Sequence, residues 1–173
     1  MYAGIGGWID VADDDDFCLQ AVIEGAGRLS FTEERLEQVF IELLENEGFD
    51  HLNGESIHRT AGEVILKEDL KSNLSKRYRD EGITDGEIEG ILRKLNGFPA
   101  EDLYASNKAI MKMIADGFVI RRENRELKDL FIQLIDYSDE DENIYRIVNQ
   151  LEISGGHTRI PDGIVYINGI PLV

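Results

Sequence analysis

The residues best placed by type to do chemistry stand near the end of this 173-residue chain. Pro161-Asp162 sits at the mouth of the apolar run Gly163-Ile164-Val165-Tyr166-Ile167, with Arg159 close by and Glu152 one predicted strand earlier. A carboxylate at the start of a buried strand is a good ligand for a hard divalent cation, because the sheet fixes it and such cations take oxygen donors. The spacing alone favours the other reading, a turn aspartate capping its own backbone before the strand. Other catalytic patterns are absent from the sequence: there is no phosphate loop ending in Gly-Lys-Ser/Thr, no Gly-x-Ser-x-Gly and no His-Glu-x-x-His. His51, His58 and His157 are too scattered for a metal pair, and His51 and His58, on either side of Gly54, read as loop residues. Cys18 has no neighbour that would lower its pKa and reads as a small buried or loop residue. Asp13-Asp14-Asp15-Asp16 lacks the spacing of a calcium loop and reads as a solvated run.

Two basic clusters stand out in a chain with 35 acidic and 18 basic residues and a formal net charge of −17. Lys71, Lys76, Arg77 and Arg79 fall near the end of a predicted helix, where cations complement the helix dipole. Arg121, Arg122, Arg125 and Lys128 are interleaved with Glu123, Glu126 and Asp129, a pattern that reads as a salted surface. The net charge argues against a stand-alone module held to DNA by general electrostatics. With 42% hydrophobic residues the chain is long enough and apolar enough for a real core, and no apolar run reaches the length needed to span a bilayer. A single cysteine excludes an intrachain disulfide, and with no basic-then-apolar leader the sequence reads as a cytoplasmic acidic domain.

These residues must be positioned by regular elements. Residues 1–30, glycine-broken and acidic, read as an extension, and residues 31–173 as the domain. Ser30 with Glu33 predicts a capping box before a helix carrying Leu36, Val39, Phe40, Leu43 and Leu44, stopped at Gly48. Thr60 with Glu63 predicts the same start for a helix carrying Val64, Leu66, Leu70, Leu74 and Tyr78. Thr84 with Glu87 opens a third, with Ile88, Ile91, Leu92 and Leu95, stopped at Asn96-Gly97. A fourth starts near Pro99, turns Leu103, Tyr104, Ile110, Met111 and Ile114 to one face, and ends at Gly117. The period then changes to that of strands over 118–121, 129–137 and 144–153, the last two joined as a hairpin or meander by the polar stretch 138–143. A last strand runs into Asn168-Gly169, a strong hairpin signal. Helices followed by strands predict an α+β fold, a mainly antiparallel or mixed sheet with helices packed on it.

Taken together, Arg159, Pro161, Asp162, Asn168, Gly169, Pro171, Leu172 and Val173 resemble the tail of the N-terminal nuclease domain of type I restriction enzyme R subunits. That tail reads Arg-x-Pro-Asp, a short strand, then Asn-Gly-Leu-Pro-Leu-Val. Val148-Asn149-Gln150, Leu103-Tyr104-x-Ser106-Asn107-Lys108 with Asp116-Gly117, Glu68-Asp69-Leu70, and Leu36-Glu37-x-x-Phe40-Ile41-x-x-Leu44 before Gly48-Phe49 extend the likeness over 31–173. The family is similar to the PD-(D/E)xK nucleases and their restriction-endonuclease-like fold. The resemblance implies Asp162 as a catalytic residue and first Mg2+ ligand. It implies Glu37, flanking the apolar stripe of the first helix beside Ile41, as an accessory catalytic acid. In the family the metal offsets charge on phosphate oxygens and lowers the pKa of the attacking water.

The resemblance also implies double-stranded DNA as substrate, modification and specificity subunits as partners, no membrane, and a downstream ATP-driven motor. The family's Glu-x-Lys, which supplies the second carboxylate and a lysine, is not among these 173 residues. The chain therefore reads as the front of a longer protein, cut inside the catalytic hairpin and without nuclease activity by itself. The alternatives are an acidic protein-interaction module that keeps a nuclease-like fold, and a PD-(D/E)xK repair nuclease without a motor.

Overall fold

The computed structural model describes residues 32–60, 62–98, 102–154 and 158–172. The readings made above for Asp13-Asp14-Asp15-Asp16, Cys18, the Ser30 cap, Pro99 and His157 lie outside the described residues. The chain divides into two compact units, 1–36 and 37–173. Of the first, the described residues hold the opening turn of a helix, where the Thr32 carbonyl accepts from the Arg35 and Leu36 amides.

That helix, α1, is Glu33–Asn46, and among the described residues three more follow it: α2 (Lys67–Arg77), α3 (Asp85–Asn96) and α4 (Leu103–Asp116). The strands are β1 (Asp50–Asn53), β2 (Phe118–Ile120), β3 (Leu130–Ile132), β4 (Tyr145–Asn149), β5 (Ile153–Ser154), β6 (Thr158–Arg159), β7 (Ile164–Ile167) and β8 (Ile170–Pro171). A mixed four-stranded sheet runs β1-β4-β7-β8, with β1 parallel to β4 and the other neighbours antiparallel. The fold is α+β, as the sequence predicts. One apolar cluster joins Leu70, Leu74, Ile88, Ile91, Leu92, Ile114, Ile132 and Leu134, uniting α2, α3, α4 and β3. A second, of Leu66, Val148, Leu151, Ile164 and Tyr166, lies on one face of the sheet.

Where the sequence signal is local, the structure follows it. The Thr84 hydroxyl accepts from the Glu87 amide and the Glu87 carboxylate accepts from the Thr84 amide, so both donors are satisfied at the start of α3. Asn168 and Gly169 have φ of +52° and +77°, the pair of positive angles a two-residue type I′ hairpin requires, and they join β7 to β8.

Where a distant partner intervenes, the elements differ from expectation. The second helix starts at Lys67, because the Leu66 amide donates to the Gly169 carbonyl at 2.9 Å; Thr60 and Glu63 meet in a turn ahead of it. The 129–137 strand is three residues long, and it pairs with β2, not β4. Leu134 and Ile135, just beyond it, fill the core without joining a ladder. The loop 138–143, read as a hairpin turn, folds back on itself through paired Asp136–Asn143 bonds of 2.8 Å. The 144–153 strand breaks at Gln150, whose φ is +52°. On α4 the inward face is Ser106, Ile110, Met113 and Ile114, while Tyr104 and Met111 face solvent. On α1 only Ile41 is buried, and Val39, Phe40 and Leu43 are about half exposed.

Three of the four residues of the first basic cluster are paired: Lys71 with Glu89, Lys76 with Glu142 and Arg77 with Asp136, while Arg79 is exposed with no ion pair among the described residues. Arg146 ties β4 to α2 through a fork onto Asp69 and to β1 through Asp50. A buried pair, Arg122 and Glu87, bonds at 2.8 Å.

Two outcomes follow from these contacts. Asn168→Ala would strand the Ile144 amide and the Leu134 carbonyl inside the protein, a loss of about 3 kcal/mol in urea unfolding. Burial works to raise the pKa of Glu87, but bonds from the Thr84 and Glu123 amides and from Arg122 outweigh it, so the folded pKa lies below the usual 4.5. The stability this carboxylate contributes is therefore full above its unfolded pKa and fades as pH falls through the lower, folded one. Glu87→Gln should flatten that acid limb, read from urea midpoints between neutral and acidic pH.

Candidate active site

The site lies where β1 and β4 end and β7 begins. In register, Leu52 faces Val148 and Val148 faces Ile164, so Asn53, Asn149 and Gly163 mark one end of the sheet. Pairing stops there, and the next residues outward are Gln150 from β4 and Asp162 from the approach to β7.

Glu37, one turn into α1, reaches this end. Its Oε1 accepts from Asn149 Nδ2 at 2.9 Å and from Gln150 Nε2 at 3.1 Å. Two consecutive strand residues would point to opposite faces of a sheet. The left-handed backbone at Gln150 breaks that alternation and lets both amides meet one carboxylate. Such a conformation costs a non-glycine residue roughly 1–2 kcal/mol. Asn149 then presents its Oδ1 to His51 Nε2 at 2.8 Å, so the histidine nitrogen is the donor. His51 is thus a strand residue of β1 tied to the site, not the loop residue its sequence context suggests.

Two glycines make the close approaches possible. A Cβ on Gly54 would lie 2.5 Å from Leu151 Cα and 2.8 Å from the Gln150 carbonyl oxygen. A Cβ on Gly163 would lie 3.2 Å from Ile147 Cδ1 and 3.6 Å from the Phe40 ring, so α1 sits directly over the start of β7.

Asp162 is exposed, and its carboxylate has no hydrogen-bond or ion-pair partner among the described residues. Other turn aspartates behave differently. Asp136 accepts from the Ser138 and Asp139 amides, Asp139 from the Asp141 amide, and Asp102 from the Ala105 amide. The self-capping role considered for Asp162 is therefore not adopted. Glu37 and Asp162 come to one sheet end without bonding each other. Glu152 and Arg159 lie apart, on the approach to β5 and on β6 in a separate two-stranded ladder.

The carboxylates at this end of the sheet are two, one open and one held by amides, and the nearby His51 Nε2 is occupied by Asn149. Mg2+ keeps several waters and is bound through one or two carboxylates plus substrate phosphate, so the open carboxylate of Asp162 fits such an ion. Among the described residues no group of three or more His, Cys, Asp or Glu forms a complete cage.

Residues 30–173 match the family described as the N terminus of the type I restriction enzyme R protein. The chain belongs to this family. It is 26% identical over 152 residues to the type I restriction enzyme HindI endonuclease subunit of Haemophilus influenzae, covering 82% of this chain and 14% of that protein. Two putative type I restriction enzyme endonuclease subunits of Methanocaldococcus jannaschii, MjaIXP and MjaVIIIP, are 26% and 29% identical over 146 and 133 residues. Those matches take in 79% and 75% of this chain, and 14% and 12% of the relatives. The chain thus spans about a seventh of the length of the relatives it matches. Among the described residues no helix is long and apolar enough to cross a membrane.

Asn149, Gln150, His51 and Gly54 were not singled out as site residues from the sequence. Val148-Asn149-Gln150 carries a strand signal and part of the family likeness but no site role, and the backbone turn that aims both amides has no local marker. Gly54→Ala should push the Gln150–Leu151 backbone away and lower stability by about 1–3 kcal/mol, with the Asn149 and Gln150 side-chain amide resonances shifting as they leave Glu37.

Proposed function

We propose that this chain supplies the first metal-holding carboxylate of the DNA-cleaving centre in the R subunit of a type I restriction enzyme. The observation that supports this reading is the uncommitted carboxylate of Asp162 at the sheet end that also holds Glu37. Asp162 binds Mg2+. Glu37, oriented by Asn149 and Gln150, is the accessory acid that directs water and charge around it. When bound, the ion offsets the negative charge that builds on phosphate oxygens and makes water a better nucleophile.

In the whole protein this centre cleaves double-stranded DNA after ATP-driven translocation. The ATP-binding motor, the second carboxylate and the lysine are supplied by sequence beyond these 173 residues. The modification and specificity subunits assemble with it in the cytoplasm and choose the target. The isolated chain does not cleave DNA.

The test is made in the full-length subunit within its complex. Asp162→Ala should lower cleavage by about three orders of magnitude while DNA-dependent ATP hydrolysis stays within about twofold. Cleavage at the parental rate would leave Asp162 as a turn residue only. Glu37→Gln, which keeps shape but removes charge, should cost about 10–100-fold in cleavage, the usual effect of altering a group that orients a metal ligand.

A further inference from the structure

The second basic cluster does not behave as its sequence suggests. Arg122 is buried: its Nε bonds Glu87, and its two terminal nitrogens donate to the carbonyls of Glu81 and Gly82 at 2.9 and 2.7 Å. Glu123 is held too, its amide on Glu87 and its carboxylate on the Thr84 hydroxyl at 2.8 Å. The Asn124 side chain accepts from the Glu126 amide and its carbonyl from the Leu127 amide, closing the turn between β2 and β3. A pinned loop results, and it presents Arg121 and Arg125 to an open cleft of about 260 Å3, lined also by Arg122, Leu127 and Asp129. Neither Arg121 nor Arg125 has a hydrogen-bond or ion-pair partner among the described residues. Lys67, Lys71, Lys76, Arg77, Arg122 and Arg146 each meet a carboxylate, whereas Arg79, Arg93, Lys128 and Arg159, like Arg121 and Arg125, meet none among the described residues; what sets Arg121 and Arg125 apart is the cleft they share.

We propose that the Arg121–Arg125 cleft is a phosphate-binding site that takes the backbone phosphate of double-stranded DNA. The proposal rests on the nuclease reading, which puts DNA on this protein, and adds a contact on the β2–β3 hairpin that the sheet-end site does not make. Guanidinium groups carry planar forks of donors that match phosphate oxygens, and a loop anchored on both sides holds them ready. The overall acidity does not forbid this, because charges beyond about 10 Å are screened at 0.1 M salt; of the nearer acids, Glu123 is turned onto the Thr84 hydroxyl, and Asp129, which also lines the cleft, opposes the two arginines.

The probe is a 20-base-pair duplex titrated against the 173-residue chain by fluorescence anisotropy from low to moderate salt, with inorganic phosphate in a parallel titration. Each arginine that meets a phosphate should contribute about −0.9 to the slope of log affinity against log salt, so Arg121→Ala with Arg125→Ala should flatten the slope by about 2. Arg93→Ala, on α3, should leave it unchanged. Arginine side-chain NMR signals of Arg121 and Arg125 should move with duplex. An unchanged slope in the double variant overturns the site while leaving the nuclease reading to the Asp162 test. Signals that respond to inorganic phosphate but not to duplex, or no duplex binding at all, overturn it as well.

Discussion

The side chain of Asn168 is wholly buried and joins three parts of the chain: its oxygen accepts from the Ile144 amide, and its nitrogen donates to the Leu134 carbonyl and to Asn143 Oδ1. The next residue, Gly169, is pressed against α2, where any Cβ would fall 2.2 Å from the Leu66 carbonyl oxygen. A hairpin turn normally lies at the surface, where its polar groups meet water. Here the turn is an internal fastener. It sets where β7 turns back and where α2 begins, and it ties down Leu134, Asn143 and Ile144 at the two ends of the 134–144 segment. Asp162 stands only two residues before β7, so its position at the sheet end depends on that anchor.

The end of the sheet that carries Glu37 and Asp162 is built by the same kind of constraint. A left-handed Gln150 is an unfavourable local choice, and it persists because Gly54 lets the backbone pass closely and Glu37 accepts both neighbouring amides. Backbone strain that the surroundings over-determine is a common feature of functional sites. The two carboxylates differ as a result: Glu37 is held by amides, and Asp162 is exposed with no partner among the described residues.

What could be read from the sequence was local or carried by resemblance. The Thr84–Glu87 capping box and the Asn168-Gly169 hairpin depend on residues within a few positions of each other, and both form as read. The start of α2 and the partner of β3 depend on bonds that cross the fold, such as Leu66 to Gly169, and no periodicity reports those. Asp162 could be noticed from its place before a strand, where a turn role is the better reading, and the family resemblance makes it a candidate metal ligand. Glu37 could not, because the amides that hold it lie 112 and 113 residues away, and only the family resemblance pointed to it. The interleaved charges at 121–129 misled for a related reason: alternation along the chain does not say which acids a buried Arg122 and its neighbours will take up.

The central claim is that a hard cation is held where Glu37 and Asp162 meet the end of the sheet. Mn2+ is a paramagnetic stand-in for Mg2+, and line broadening in the NMR spectrum of this chain reports its position even when binding is weak. The account expects broadening centred on Asp162 and Gly163 and extending to Asn149 and Gln150, displaced by Mg2+ and lost in Asp162→Asn. Broadening centred instead on the acidic turn at 139–142, or unaffected by Asp162→Asn, would contradict it.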